Sequence, residues 1–247
     1  MDSIGFVCDP DHAVFRPVAQ RLAARGFDIE FFRPTDPIRR ADVDALSALV
    51  SGVVHPSALT ALRYADTVGV PTWNGFTMMT AMSSRLVTLE ALSAVGCRVP
   101  SVRFDGPAEG YAAAQRYAWE GQTSLDGPAP FYVETVATDS GSGSESGEQR
   151  YYAVDDGRET HMRAMRLQRS IVNDEPLLEP TDIDVSLAAS VRSLLDAFEA
   201  RAVAVDFTDG PADEVYALRA TPTPTFAGAG MERRVADSVA SLTTIGP

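Results

Sequence analysis

The sequence predicts an α/β protein that becomes α+β in its C-terminal half, with an N-terminal parallel layer followed by a core of paired strands. Residues 3–33 run apolar strand, amphipathic helix, apolar strand, and a β-α-β order closes into a parallel sheet. Residues 131–167 and 202–219 instead carry strand-like runs divided by short polar turns, the signature of antiparallel hairpins. With 247 residues, 45% hydrophobic and 22% charged, the chain can bury a sizeable core.

Ser3 to Cys8 (SIGFVC) has strand length, and Asp9-Pro10-Asp11 reads as a turn and helix cap. His12 to Arg25 places Val14, Val18 and Leu22 at helical spacing, and Gly26 stops the helix. Phe27 to Arg33 is the next strand. No glycine-rich turn follows the first strand, so the dinucleotide fingerprint is absent. Ala45 to Val54 contains the third strand, Ser57 to Val68 forms a helix ended by Gly69, and Val70 to Trp73 is a short strand reaching Asn74-Gly75. Thr77 to Met82 is a short helix whose Met78, Met79 and Met82 suit core packing. Ser83-Ser84 can cap the next helix, Arg85 to Val95; Gly96 ends it, and a strand Ser101 to Phe104 follows. Pro107 opens a helix to about Trp119, and residues 120–130 form a turn-rich linker. Phe131 to Ala137 (FYVETVA) is strongly β, residues 139–149 are a Gly/Ser-rich loop, and Arg150 to Val154 is the hairpin partner of FYVETVA. Thr160 to Leu167 is a further strand, residues 171–184 are irregular, and Val185 to Ala200 is an amphipathic helix. Strands Ala202 to Phe207 and Val215 to Arg219 make a last hairpin before a helix, Met231 to Leu242.

The formal charge is −13, and all 21 basic residues are arginine. An acidic surface without lysine argues against nucleic acid and anionic membranes as partners. It fits a salt-in halophile cytoplasm, where screening removes most self-repulsion; GC-rich codon bias is the other source of such a composition. Cys8 and Cys97 stand in apolar contexts and read as buried free thiols. His12, His55 and His161 are scattered and show no metal-type Cys/His spacing. The N-terminus lacks a basic region with an apolar run, and no stretch of about 18 apolar residues exists, so neither a signal peptide nor a membrane span is expected.

Two groups of residues could carry chemistry. Asp206 leaves a buried strand facing the Thr-Pro-Thr-Pro loop that leads to Phe226, an arrangement suited to a metal or phosphate, or to an ordinary core hairpin with a solvated acid. Arg163, Arg166, Arg169 and Asn173 form the other group; along a strand, Arg163, Met165 and Leu167 share one face and Ala164 and Arg166 the other.

The order of elements resembles the ATP-grasp superfamily, in the branch of glutathione synthetases and ribosomal-protein glutamate ligases. It runs from an α/β layer ending in WNG, through the helices of RLVTLEALSAVGCRVPSVRF and the strands FYVETV and RYYAVDDG, to VDF and TPTPTF, and covers about residues 1–245. The resemblance implies an N-terminal domain (1–75), a helical segment with a shortened lid (76–130) and an ATP-grasp-like core (131–247). It implies ATP as cofactor, with Glu134, Thr135 and Val136 at the adenine hinge, Arg150 and Asn173 toward the phosphates, Arg166 as the catalytic arginine and Asp206 as a Mg²⁺ ligand. In a second register, FYVET is the lid strand, with Glu134 where the family has lysine, and the loop after it cradles phosphates.

The sequence departs from the family on the final strand. Arg219 falls at the second acidic metal position and Thr221 at the asparagine position. A fixed cation there opposes a dication, which weighs against Mg²⁺ while leaving ATP as the candidate cofactor. Three functions are compatible with these residues. One is an ATP-grasp protein impaired in Mg-ATP catalysis, acting by binding a protein partner or itself. The second is an active ATP-dependent ligase joining a small-molecule or protein carboxylate to an amine through an acyl phosphate. The third is an α/β binding module without nucleotide. The first predicts that Asp206 and Arg219 meet as an ion pair in one cleft.

Overall fold

Alternation of apolar strands with one-sided helices produces a parallel layer at the N-terminus. The computed structural model describes residues 2–117, 129–136, 147–168, 177–226 and 228–244. Strands β1 (Ser3–Val7), β2 (Asp28–Phe32), β3 (Ala48–Ser51) and β4 (Thr72–Trp73) pair in parallel in the order β2-β1-β3-β4. Helices α1 (Phe15–Ala23), α2 (Arg40–Asp44) and α3 (Pro56–Val68) connect them. The cap of α1 differs from the Asp9-Pro10-Asp11 expectation. His12 Nδ1 accepts from the Val14 and Phe15 amides, both at 3.3 Å, because the imidazole lies over the first turn.

Helices α4 (Phe76–Ser83) and α5 (Arg85–Ala94) follow, and the Ser84 side chain makes no capping bond. The Arg85 amide at the helix start instead donates to the Arg116 carbonyl at 3.1 Å, where Ser84 bridges to Tyr117. Next come β5 (Val102–Arg103), β6 (Tyr111–Ala114) and β7 (Phe131–Glu134), an antiparallel sheet in the order β5-β7-β6. Two sequence expectations are corrected here. The stretch after Pro107 is not a helix among the described residues: Tyr111–Ala114 is a strand, its alanines overridden by pairing with β7. And β7 does not form a hairpin with the RYYAVD strand, which belongs to a different sheet.

That second sheet has the order β10-β9-β8-β11-β12, built from β8 (Gln149–Asp155), β9 (Thr160–Gln168), β10 (Leu177–Thr181), β11 (Ala202–Asp209) and β12 (Val215–Thr221), all antiparallel. Strand β10 lies in a region read as irregular. Its Pro180 is tolerated because β10 is the sheet edge, where one side needs no ladder donor. Helix α6 (Val185–Ala197) is capped by Asp184, whose Oδ1 accepts from the Ser186 and Leu187 amides at 2.7 and 3.1 Å. Helix α7 (Glu232–Thr244) closes the chain. Cys8 and Cys97 are free thiols, the first buried and the second half-buried.

One apolar cluster unites the parallel sheet, α1, α7 and a face of the five-stranded sheet, through Phe6, Phe15, Trp73, Tyr152, Phe226 and Val239. A second covers the opposite face of the five-stranded sheet with α4, α5 and α6. The small sheet packs on α5 in a minor cluster of Leu89, Phe131 and Val133. At the junction sits Asn74, fully buried with φ 61°, a left-handed backbone that asparagine tolerates better than most residues. Its Oδ1 accepts from the Arg201 and Ala202 amides, both at 2.9 Å. Its Nδ2 donates to the Ala202 carbonyl at 2.8 Å and to the Pro222 carbonyl. One amide thus fixes the end of the parallel layer to the start of β11 and to the proline loop after β12.

Candidate functional site

Sheet register builds the site. Arg150 stands opposite Asp206 across β8 and β11, and Asp206 stands opposite Arg219 across β11 and β12. Directly opposed residues share a face, with Cβ atoms about 5 Å apart, so one carboxylate is flanked by two guanidiniums. Arg150 donates Nε to Oδ1 at 2.5 Å and Nη2 to Oδ2 at 3.0 Å, a two-pronged clamp. Arg219 donates Nε and Nη2 to Oδ2 at 2.9 and 2.6 Å. A β-bulge follows at Asp206/Phe207: Phe207 pairs with Ala217, leaving Leu218 as the additional residue. The row opens on a cleft of about 290 Å³ whose lining includes Arg85, Glu148, Leu167 and Leu218.

Burial pushes the Asp206 carboxyl up, but the Arg150 hydrogen bonds and the two positive charges outweigh it and hold the group below the ordinary carboxylate range. The hydrogen bonds to Asp206 raise Arg150 in turn. Arg85 is shifted the other way: burial lowers it first and the positive charge of Arg219 lowers it further, with the Asp206 charge acting upward against both.

In this arrangement Asp206 offers Mg²⁺ no carboxylate oxygen clear of a guanidinium. The ion takes oxygen donors in a near-octahedral shell, yet both Asp206 oxygens are occupied by guanidinium N–H groups and the opposite strand offers a cation. The acids in the turn after β11 supply no replacement among the described contacts. Glu214 is committed to Arg98 and lies 3.4 Å from the Tyr216 hydroxyl. The Asp209 side chain sits against Gly147, where a Cβ would lie 1.7 Å from its Oδ2. The side chain of Asp213 lies outside the described residues.

The other expected site residues fall in different places. Glu134 ends β7 in the small sheet, where its carboxylate accepts from the Ser101 amide at 3.0 Å and the Ser101 hydroxyl at 2.9 Å. The Thr135 amide donates to the Gly110 carbonyl at 2.7 Å, and Val136 lies beside Gly210. Arg166 pairs with Gln149, one step out of phase with Met165 and Arg150, so it lies on the opposite face of the sheet from the Asp206 row. Asn173 and Arg169 lie outside the described residues. The structure therefore brings together Arg150, Asp206 and Arg219, while Glu134 stands in the small sheet and Arg166 on the other face of the five-stranded one.

Arg85 is the cleft residue that pattern reading passed over. A signal was present: it is the first residue of α5, where a basic side chain opposes the helix dipole and calls for another explanation. A second polar group, Asp156, Glu159 and His161, gathers at the β8–β9 turn. His161 Nε2 lies 2.9 Å from Asp156 Oδ2, while Asp156 Oδ1 accepts from the Arg158 and Glu159 amides. These bonds account for the group as a turn lock. They hold Asp156 at about 2 against a burial effect that acts upward.

The sequence matches no protein-family profile and no curated protein. Solved structures do match over nearly the whole chain. The ATP-grasp ligase PsnB complexed with a minimal precursor, Mg and ADP shares 16% identity over 98% of each chain, with a TM-score of 0.66. The macrocyclase MdnC bound with a precursor peptide from Microcystis aeruginosa shares 11% over 97% of this chain and 99% of that one, with a TM-score of 0.63. N5-carboxyaminoimidazole ribonucleotide synthetase from Thermotoga maritima shares 13% over 100% of this chain and 77% of that one, with a TM-score of 0.71. Together with the layer order, these matches show that the chain has the ATP-grasp fold.

Proposed function

We propose that this chain is a divergent ATP-grasp-fold protein that keeps a phosphate-type cleft but does not perform ligation with Mg²⁺ held at Asp206. Its role is binding, regulation or assembly with a partner, in the three-part organisation 1–75, 76–130 and 131–247, and in the cytoplasm of a salt-adapted cell. The observation that carries this is the Arg150–Asp206–Arg219 row, in which protein cations already neutralise the carboxylate that a metal would need. ATP is the candidate cofactor. The separation of β7 from the five-stranded sheet favours the register in which FYVET is the lid strand and Glu134 stands at its lysine position. Arg150 is then a structural cation as well as a phosphate contact, with Asn173 as a further phosphate contact.

Active ligation is the second reading, supported by full-length similarity to ATP-grasp ligases seen with precursors and nucleotide. Joining a carboxylate to an amine would then be the reaction class. Calorimetric titration of ATP in high salt, with Mg²⁺ and with EDTA, separates the two. Nucleotide binding that persists in EDTA supports the divergent protein; binding that requires Mg²⁺ overturns it in favour of the ligase.

A further inference from the structure

Helix α5 packs on the small sheet through Leu89, against Phe131 and Val133, and leaves an apolar groove of about 560 Å³ beside the edge strand β5. Leu86 and Leu89 of α5 line it, together with Val99, Pro100 and Val102 of the segment that follows. Phe104 lines it too and is 70% exposed, its ring braced at 6.2 Å by the buried Phe131. Val87, also in the lining, is 44% exposed, and the exposed Tyr117 is bridged to Ser84 at the start of α5. Three of the six exposed large apolar side chains among the described residues thus belong to α5 and the segment around it. A concentration of exposed apolar surface of this kind marks a contact surface.

The shape and charge of this face say what covers it. An exposed aromatic ring stands beside an unfilled groove on one patch. A two-fold contact sets the same patch of two copies face to face, so a knob and a hollow on that patch satisfy each other. Charge decides in the same direction. The chain carries −13, and two copies repel wherever their carboxylates meet. Glu90 is the single charged residue among the ten that line the groove, in a chain that is 22% charged. The core of an interface is poor in charge and rich in aromatic side chains. A basic partner finds one glutamate to read here, whereas a second copy can approach without a row of opposing carboxylates.

We infer that the chain forms a two-fold homodimer through this face, with Phe104 of each copy seated in the groove of the other. This goes beyond the function proposed above and rests on no residue of the Asp206 row, so either can fail alone. Two acidic copies repel at low salt. Salt screens that repulsion, the Debye length falling from about 10 Å at 0.1 M to about 3 Å at 1 M, and it leaves the apolar contact intact. The dimer accordingly tightens as salt rises, the opposite of a contact held by ion pairs.

The test is sedimentation velocity of the full chain over a range of protein concentrations, in low and in high sodium chloride. The wild type forms a species of twice the chain mass, with a dissociation constant about tenfold lower in high salt. Phe104→Asp raises that constant by about a hundredfold or more, because the two-fold counts each substitution twice, and Phe104→Leu keeps the dimer. Val185→Asp, at an 83% exposed position on α6, leaves it unchanged. Circular dichroism and urea unfolding of Phe104→Asp match the diluted wild type; if that variant does not fold, Val87→Asp in the same groove replaces it. A monomer at every concentration and salt, the groove then belonging to another partner or to residues 118–128, overturns the inference. So does a dimer that Phe104→Asp and Val87→Asp leave intact, or one that salt weakens. None of these results touches the reading of the Asp206 cleft, and nucleotide binding that requires Mg²⁺ overturns that reading while leaving the dimer.

Discussion

Asp206→Asn removes one negative charge from the row across β8, β11 and β12 and keeps its shape. An amide oxygen can still accept from one guanidinium, but the NH₂ group faces the other, so the clamp opens. Unit charges about 4 Å apart attract by about 4 kcal/mol at an effective dielectric of 20. The Arg150 and Asp206 side chains are 20% and 15% exposed, whereas Arg219 is 55% exposed. Solvent discounts the Arg219 pair to less than about 1 kcal/mol, and the loss falls on the Arg150 pair, for which breaking one side of a buried bridge costs roughly 3 kcal/mol. Urea unfolding at pH 7 in high salt should show that deficit. The same substitution raises the positive charge of the cleft by one, so phosphate in EDTA should bind about tenfold tighter. In a protein whose aspartate holds Mg²⁺ the sign is reversed, because removing the ligand weakens nucleotide binding. Weaker phosphate binding by Asp206→Asn, or stabilisation of the wild type by Mg²⁺ that the variant loses, refutes the ion-pair account.

Three further outcomes follow from the contacts described. Because Asp206 is held below the ordinary carboxyl value of 3.8, its contribution is fully present above that pH and is lost as pH falls through the lower folded value; the stability gap between wild type and Asp206→Asn, measured by urea unfolding, should be flat above pH 4 and close below it. Asn74→Ala strands two amides and two carbonyls in the interior and imposes φ 61° on alanine, so a loss of about 3–5 kcal/mol is expected in chemical denaturation, against near-neutrality for a surface control such as Arg39→Ala. Asp184→Ala removes the cap of α6 and should cost about 1 kcal/mol, with Asp184→Ser recovering most of it.

The parallel layer was legible because helix and strand periods alternate there with clear stops at Gly26 and Gly69. The last hairpin was legible for the same reason, and the short turn between its strands placed Arg219 opposite Asp206. What the residues did not disclose was partner choice. FYVE and RYYAVD both read as strands, but their period of two is silent about which strand lies alongside. Tyr111–Ala114 misled for a different reason: alanine favours helix locally, and only pairing with β7 decides otherwise. Pro180 hid β10 until its place at the sheet edge was known. Arg85 joins the cleft through the docking of α5, a tertiary event that no local spacing encodes.

The Asn74 amide also sets which parts of the molecule can separate. It closes a chain loop of 128 residues by bonding Ala202, and it does so inside the cluster shared by both large sheets. The Arg201 and Ala202 amide protons, held by its oxygen, should therefore exchange with solvent only when the whole body unfolds. Among the described residues the three-stranded sheet shows no such buried amide tie and packs on Leu89 of α5 through a minor apolar patch. Hydrogen exchange should accordingly resolve the small sheet and the fused double-sheet body as separate cooperative units.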